Sequence, residues 1–235
     1  MTSLPLNDKL PHLVPIPGGA FRMGSDDGPL IERPVHEVEV DGFHMGVTPV
    51  TRFQYARFLS AAGHSPPPTW DDPLYADPLQ PAVSVSWHDA ETYCKWLSEL
   101  TGQPFRLPTE AEREHAARGG REGLRYPWGD DYPDLATAYG PQAWGRPLPV
   151  GCGDPNGFGL FNMADTVHEW CLDYYDPDYY AVSPRHDPAG PANGPRRVAR
   201  GGAWRHQVPV SRCSHRTSLP PDRTFTDFGF RVVTG

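Results

Sequence analysis

The sequence predicts one α+β domain, and three observations support this. Alternating apolar and polar residues near the start predict paired strands, and three capped segments in the middle predict helices. After residue 117, turn signals outnumber periodic segments, which predicts irregular loops with a few strands. No internal repeat or Pro/Ser linker divides the 235 residues. We therefore expect residues 1–12 to be an N-terminal extension and residues 13–235 to form a single domain.

The strand predictions come first along the chain. Residues 20–24 and 36–40 alternate between apolar and polar side chains, as half-buried strands do. The second segment ends at the turn signal Asp41-Gly42, and residues 43–47 follow it. Together these segments predict an antiparallel β opening.

Capping residues mark the start of each predicted helix. Thr51 is followed three residues later by Gln54, and Thr109 is followed by Glu112, so each pair can form a capping box. Ser86 is expected to cap the helix between them. Behind each cap, apolar residues recur at helical spacing, so we expect three helices between residues 51 and 119.

Composition excludes several classes of function. The formal charge of −8 and the pI near 5.6 argue against a nucleic-acid-binding protein, which would be basic. No apolar run is long enough to span a membrane and no secretory signal is recognisable, so we expect a cytoplasmic protein with no membrane partner. The 29 prolines and 24 glycines are interspersed with 27 aromatic residues, which predicts a compact, loop-rich globule rather than a disordered chain.

Arginine supplies almost all of the positive charge. Two lysines stand against 19 arginines, a bias typical of a GC-rich or thermophilic source. Eight arginines lie between residues 196 and 235, against two aspartates. Such asymmetry indicates either a binding face or arginines that brace carbonyls and carboxylates inside the domain, and we favour the second interpretation.

The four cysteines are not spaced as metal ligands. No CxxC or CxH pattern links Cys94, Cys152, Cys171 and Cys213, so a zinc site is not expected. Four cysteines in a chain of this length do not make a disulfide scaffold either. Cys94 and Cys171 lie among apolar neighbours, where a free thiol behaves as a small hydrophobic group.

Several blocks of sequence, in the same order, carry a resemblance to a known family. They are residues 14–24, 81–96, 106–129, 156–170, 200–204 and 229–233. The most specific block begins Arg106-Leu107-Pro108-Thr109-Glu110. The chain therefore resembles the formylglycine-generating-enzyme (sulfatase-modifying factor)-like family over residues 13–233. That resemblance implies a C-type-lectin-like fold with a twisted antiparallel sheet, two main helices and much irregular loop.

The resemblance also implies a structural calcium ion. The family holds calcium through an asparagine side chain, two backbone carbonyls and a glutamate, and calcium prefers hard oxygen ligands of this kind. At the family's spacing of i, i+3, i+5 and i+7, the predicted metal ligands are Asn162, Asp165, Val167 and Glu169. No organic cofactor is expected.

The resemblance fails at the catalytic centre. The enzymes use two cysteines five residues apart, which bind copper as thiolates, and soft thiolates are the ligands that Cu(I) selects. Here those positions carry His206 and Ser211, and Cys213 cannot replace both. Formylglycine generation is therefore not expected, and we assign no catalytic residue.

One alternative keeps metal chemistry at the same place. His206 and His215 are close in sequence, and Asp222 and Asp227 follow them. Two histidines and one carboxylate form the metal site of many iron oxygenases. The alternative function is thus a metal-dependent oxidoreductase of this family that acts without the usual cysteine pair.

The favoured function is ligand binding. Residues 205–228 lack strand or helix periodicity and resemble the variable region of diversity-generating-retroelement proteins, which display randomised residues on the same lectin-like fold. Mutation at template adenines does not produce Lys, Glu or Met, and none of these occurs in the stretch. We therefore expect a variable surface that binds an unknown protein or small-molecule ligand. The alternative is a structural role, in which these residues only pack against the last strands of the domain. The predicted binding residues are Arg205, His206, Val208, Val210, Ser211, His215, Ser218, Leu219, Thr224, Phe225, Asp227 and Phe228.

Overall fold

Two sheets and a hairpin frame the molecule. The computed structural model describes residues 9–131, 145–206 and 208–235, so most of the predicted N-terminal extension lies outside the described residues. The first sheet is antiparallel and has the order β1-β4-β10-β5. Its strands are β1 (Leu13–Ile16), β4 (Phe43–Gly46), β5 (Phe105–Arg106) and β10 (Val233–Thr234). The hairpin pairs β2 (Gly19–Met23) with β3 (His36–Val40). The alternating segments near the start of the chain are thus confirmed as strands.

The second sheet is built from the latter part of the chain and has the order β8-β7-β6-β9. Its strands are β6 (His168–Tyr174), β7 (Arg197–Arg200), β8 (Arg216–Leu219) and β9 (Phe228–Gly229). The pair β6–β9 is parallel, whereas β6–β7 and β7–β8 are antiparallel. Strand β6 shows no alternation in sequence because five of its seven residues are buried, on both faces of the sheet.

The three predicted helices are present: α1 (Arg52–Ala62), α2 (Trp87–Thr101) and α3 (Glu110–Arg118). Each begins with a capping box, and the second box closes on Asp89. Each ends at a glycine in the left-handed conformation, with φ between 58° and 72°. At Gly119 a side chain is also sterically excluded, because an added Cβ would lie 2.7 Å from the backbone nitrogen of Gly157.

Aromatic side chains between α1 and α2 form the main core. Tyr93 stacks on Tyr55 with ring centroids 5.9 Å apart, and Phe230 meets the edge of Tyr93 at 5.2 Å. All three side chains are fully buried. Among the described residues, no helix is both long enough and apolar enough to cross a membrane.

Three C-terminal arginines lie in the interior and bind carboxylates and carbonyls there. This agrees with the structural interpretation of the arginine-rich C-terminal region. Arg200, Arg216 and Arg231 are each 1% exposed or less. Arg216 holds the carboxylate of Glu110 with two hydrogen bonds of 2.7 and 3.0 Å. Arg200 contacts the same carboxylate at 3.1 Å and also pairs with Glu114. These ion pairs attach α3 to strands β7 and β8.

The aromatic core gives a test of stability. Replacing Phe230 with alanine removes a fully buried ring and should lower the free energy of unfolding by about 3–5 kcal/mol. Phe225 is 43% exposed, so the same substitution there should cost less than about 1 kcal/mol. Urea denaturation of both variants measures the difference. Equal losses would show that the ring of Phe230 is not a core element.

Candidate metal centre

Three polar side chains meet at one end of the second sheet. His168 is the first residue of β6, and Asp227 directly precedes β9. Because these strands are parallel, with His168 opposite Phe228, both begin at the same end of the sheet. The backbone N–H of His168 donates to the carbonyl oxygen of Asp227 over 2.8 Å. Strand β7 is antiparallel to β6, so the chain leaves β7 at this end and enters the turn that carries His206.

The side chains of His168, His206 and Asp227 form a compact donor cluster. Their potential ligand atoms all lie within 4.8 Å of one another, and no other such group of three occurs among residues 9–131, 145–206 and 208–235. His206 Nε2 lies 2.7 Å from Asp227 Oδ2, and the two imidazole rings are 5.0 Å apart. His168 and Asp227 are buried, whereas His206 is half-buried and reaches the surface. The cluster is therefore an interior site with one accessible side.

The ring of His168 is held in one orientation. Its Nδ1 lies within hydrogen-bond distance of the carbonyl oxygen of Gly201, and because a carbonyl only accepts, Nδ1 carries the proton. Burial and the neighbouring His206 lower the pKa of His168 to about 4, so the imidazole is neutral at physiological pH. Its Nε2 therefore carries no proton and can offer a lone pair to a metal ion. Metal-bound histidines are oriented in this way by a carbonyl on the other ring nitrogen.

Asp227 has one carboxylate oxygen without a partner. Oδ2 accepts hydrogen bonds from His206 and from Arg205 Nε at 3.0 Å. Oδ1 is buried and has no hydrogen-bond partner. Leaving such a group unsatisfied costs about 1–3 kcal/mol or more. A cation in the cluster would remove this cost.

The donor set fits a mononuclear metal ion with open positions. Two imidazoles and one carboxylate are the protein ligands of non-haem iron(II) sites, and catalytic zinc sites also use His₂-carboxylate sets. The cluster contains no thiolate, so it does not match a copper site built on cysteines.

The metal site predicted from two histidines and one carboxylate contains partly different residues in the structure. His215 lies 3.8 Å from Glu32 rather than in the cluster, and Asp222 is exposed. His206 and Asp227 belong to the cluster as predicted, but the second histidine is His168. No local pattern in the sequence signals His168, because only the pairing of β6 with β9 brings it beside Asp227.

The residues predicted to bind a ligand do not form one exposed surface. Arg205 and Phe225 are exposed, and five others are half-buried: His206, Val210, His215, Leu219 and Thr224. The remaining five are buried: Val208, Ser211, Ser218, Asp227 and Phe228. The burial has clear causes, since Phe228 packs on Trp170 at 5.1 Å and Ser218 accepts a hydrogen bond from Arg196. Of the continuous display face expected over 205–228, only a rim beside the cluster is exposed, formed by Arg205 and Phe225.

The arrangement of the predicted calcium ligands does not fit a calcium ion. Glu169 is fully buried, and both of its carboxylate oxygens accept hydrogen bonds from arginines. Asn162 Oδ1 accepts from the backbone N–H of Gly151 at 2.7 Å, and its Nδ2 donates to Asp165. Val167 is buried in an apolar cluster. The side-chain oxygens that calcium would need are thus already occupied by internal donors.

A cleft of about 810 Å³ opens elsewhere and is lined by charged side chains. Its Asp27 pairs with Arg125 at 2.7 Å and also with Arg212. None of the three cluster residues lines this cleft. Two of the arginines that line this cleft are therefore paired with a carboxylate of the same cleft.

The cysteines do not supply a reactive pair. All four are free, and Cys94, Cys171 and Cys213 are buried. Burial raises the pKa of Cys213 to about 12 and raises the pKa of Cys94 and Cys171 as well. Buried protonated thiols are poor nucleophiles and poor metal ligands.

This chain is similar to one protein family and to several known proteins. The family described as sulfatase-modifying factor enzyme 1-like domain matches residues 2–235. The formylglycine-generating enzyme of Streptomyces coelicolor is 34% identical over 284 residues, which cover 94% of this chain and 88% of the enzyme. The serine/threonine-protein kinase pkn1 of Chlamydia caviae is 34% identical over 95% of this chain, but the chain spans only 38% of the kinase.

Two solved structures confirm the predicted fold class. PvdO from Pseudomonas aeruginosa superposes with a TM-score of 0.83 at 29% identity, covering 97% of this chain and 95% of PvdO. Treponema denticola variable protein 1 superposes with a TM-score of 0.81 at 24% identity, covering 94% of each chain. The second similarity establishes the shared fold alone.

Proposed function

The chain belongs to the sulfatase-modifying factor enzyme 1-like family, and on that premise we propose that it is a metal-dependent oxidoreductase without a cysteine pair. The observation that carries the proposal is the cluster of His168, His206 and Asp227, in which a buried carboxylate oxygen has no partner. Iron(II) held by two histidines and one carboxylate keeps positions open for dioxygen and a substrate, with dioxygen as the oxidant.

The protein supplies a prearranged set of donors. His168 is fixed by Gly201, and its backbone is tied to that of Asp227. His168 and Asp227 lie at the ends of paired strands, which hold side chains more rigidly than free loops do, whereas His206 lies in the turn after β7. His206 lies on the exposed side, where a substrate has access. Arg205 contacts Asp227 from the surface and covers part of the carboxylate.

Metal binding is the first test. Metal-free protein should bind one Fe(II) or Co(II) per chain under anaerobic conditions, and the Co(II) form should show visible d–d bands. H206A and D227N should each weaken binding by at least about 100-fold, because H206A removes a ligand and D227N removes the charge of one, and losing a group that only orients a ligand already weakens binding 10–100-fold. H215A is the matched control and should bind normally, since His215 lies outside the cluster. Equal affinity in H206A and H215A would exclude this site.

The redox function is tested separately from metal binding. The iron-loaded chain should consume dioxygen in the presence of a cysteine-containing peptide or small thiols, and the zinc-loaded chain should not, because zinc has no redox chemistry. An oxygen electrode measures both rates, with H206A as the control for free iron. If the iron-loaded and zinc-loaded chains consume dioxygen equally, the centre is not an oxidase.

A second candidate function, ligand binding at a diversified surface, is supported by the exposed rim. Arg205 and Phe225 are exposed beside the cluster, and arginine and aromatic side chains are common in binding hot spots. Arg205 Nη1 lies 3.4 Å from the hydroxyl of Thr226, and the ring of Phe225 is 6.1 Å from that of Phe228. Buried framework residues would hold such a rim rigid while its side chains varied.

Deep sequencing of the 3′ end of the gene across a population of the source organism tests this candidate. Diversification should change the codons of the exposed or half-buried positions 205, 206, 210, 215, 219 and 225 while the codons of Arg216 and Gly229 stay fixed. A metal enzyme requires His206 to be invariant, so variation at 206 would favour the binding protein. An invariant 3′ end would remove the diversification hypothesis.

A further inference from the structure

We propose that a buried pair of arginines, Arg113 and Arg231, takes the structural place of the calcium ion that the family resemblance predicts beside Glu169. The cation in this chain would then be part of the polypeptide, and the domain would fold without calcium. Neither arginine belongs to the His168–His206–Asp227 cluster, so the proposal is independent of the redox function.

The three side chains form a closed ion-pair cluster. Arg113 Nε donates to Glu169 Oε2 at 2.8 Å. Arg231 donates to both oxygens of Glu169, through Nε and Nη2 at 3.1 Å each. All three side chains are between 0 and 1% exposed. The carboxylate therefore has two cationic partners and no access to solvent.

The same guanidiniums also bind two backbone carbonyls at the start of the predicted calcium segment, which are not the ligand carbonyls expected of Asp165 and Val167. Arg231 Nη2 donates to the carbonyl of Phe161 at 2.7 Å, and Arg113 Nη2 donates to that of Met163 at 2.6 Å. A bound calcium ion would join carboxylate and carbonyl oxygens of one turn. Here the planar forks of two arginines join them instead, which is a geometry that guanidinium suits.

Charge balance also opposes a calcium ion at this position. Arg113 and Arg231 both pair with the carboxylate of Glu169, and the negative charge of Asp165 also acts on Arg231. Two positive charges are thus matched by two negative ones. Adding a divalent cation would leave uncompensated positive charge in a buried site, where interactions between charges are strong.

The arginines reach this position from two separate elements. Arg113 lies in the middle of α3, and Arg231 lies between β9 and β10. Arg231 Nη1 also donates to the carbonyl of Gly46 in β4 at 2.7 Å. The cluster therefore joins the first sheet, the helix and the turn before β6, which is the structural work expected of a bound ion.

The thermal midpoint of the metal-free wild-type protein tests the proposal directly. We expect Tm to differ by less than about 2 °C between EGTA and millimolar calcium. A site of micromolar affinity would instead raise Tm by roughly 8–16 °C under these conditions. Such a rise would overturn the proposal, and this measurement requires no variant.

Substitution of Arg113 distinguishes two roles for this residue: replacing a calcium ion, or forming an ordinary buried ion pair. R113M should lower Tm by roughly 6–20 °C, because a buried carboxylate loses one partner. R121M is the matched control at an exposed arginine and should leave Tm nearly unchanged. Calcium should raise the Tm of R113M but not that of the wild type, because removing the charge of Arg113 leaves Glu169 with one cationic partner instead of two.

An equal response of R113M and the wild type to calcium would overturn the replacement role. If R113M does not fold, R113K serves as the second variant, since it keeps the charge but loses the planar fork. R113K should have a Tm below that of the wild type and should not respond to calcium. A calcium response in R113K would also contradict the proposal.

Discussion

The buried carboxylates of helix α3 hold the structure together. Glu114 is fully buried and accepts hydrogen bonds from Arg118, from Arg200 of β7 and from the backbone N–H of Gly24 after β2. One side chain thus joins the helix, the hairpin and the second sheet. Removing one partner of such a buried pair typically costs about 3–5 kcal/mol. The end of the second sheet, where the metal donors meet, takes its position from this helix.

Local signals in the sequence were enough to find the helices and the first strands. The capping boxes at Thr51 and Thr109 each depend on residues three positions apart, so the sequence alone displays them. The burial of α3 could not be predicted from such local patterns. All nine of its residues are buried, although five carry charged side chains and a sixth is His115. Glu110, Arg113 and Glu114 have partners on distant strands, which the sequence of the helix does not reveal. Charge in a helix usually indicates a solvent-facing side, and here it indicates an ion-pair interior.

The candidate site shows the same division between local and distant information. His206 stood out because it occupies a position where the related enzymes are expected to carry a thiol. His168 became a candidate only through the parallel pairing of β6 and β9, which no nearby residue signals. Glu169 matched a spacing for calcium, yet the spacing does not reveal that Arg113 and Arg231 bind it. The motif therefore pointed to Glu169, but its partners could be found only in the fold.

The wide spacing of the three donors along the chain affects the stability of the protein in the cell. His168, His206 and Asp227 come from well-separated segments, so an ion shared among them acts as a reversible cross-link that only the folded chain can make. Binding to the folded form alone raises stability with the concentration of free ion. Marginally stable proteins are continually removed by proteases, and small changes in stability alter their abundance. Under the proposed function, the steady-state amount of this protein would follow the supply of iron to the cell.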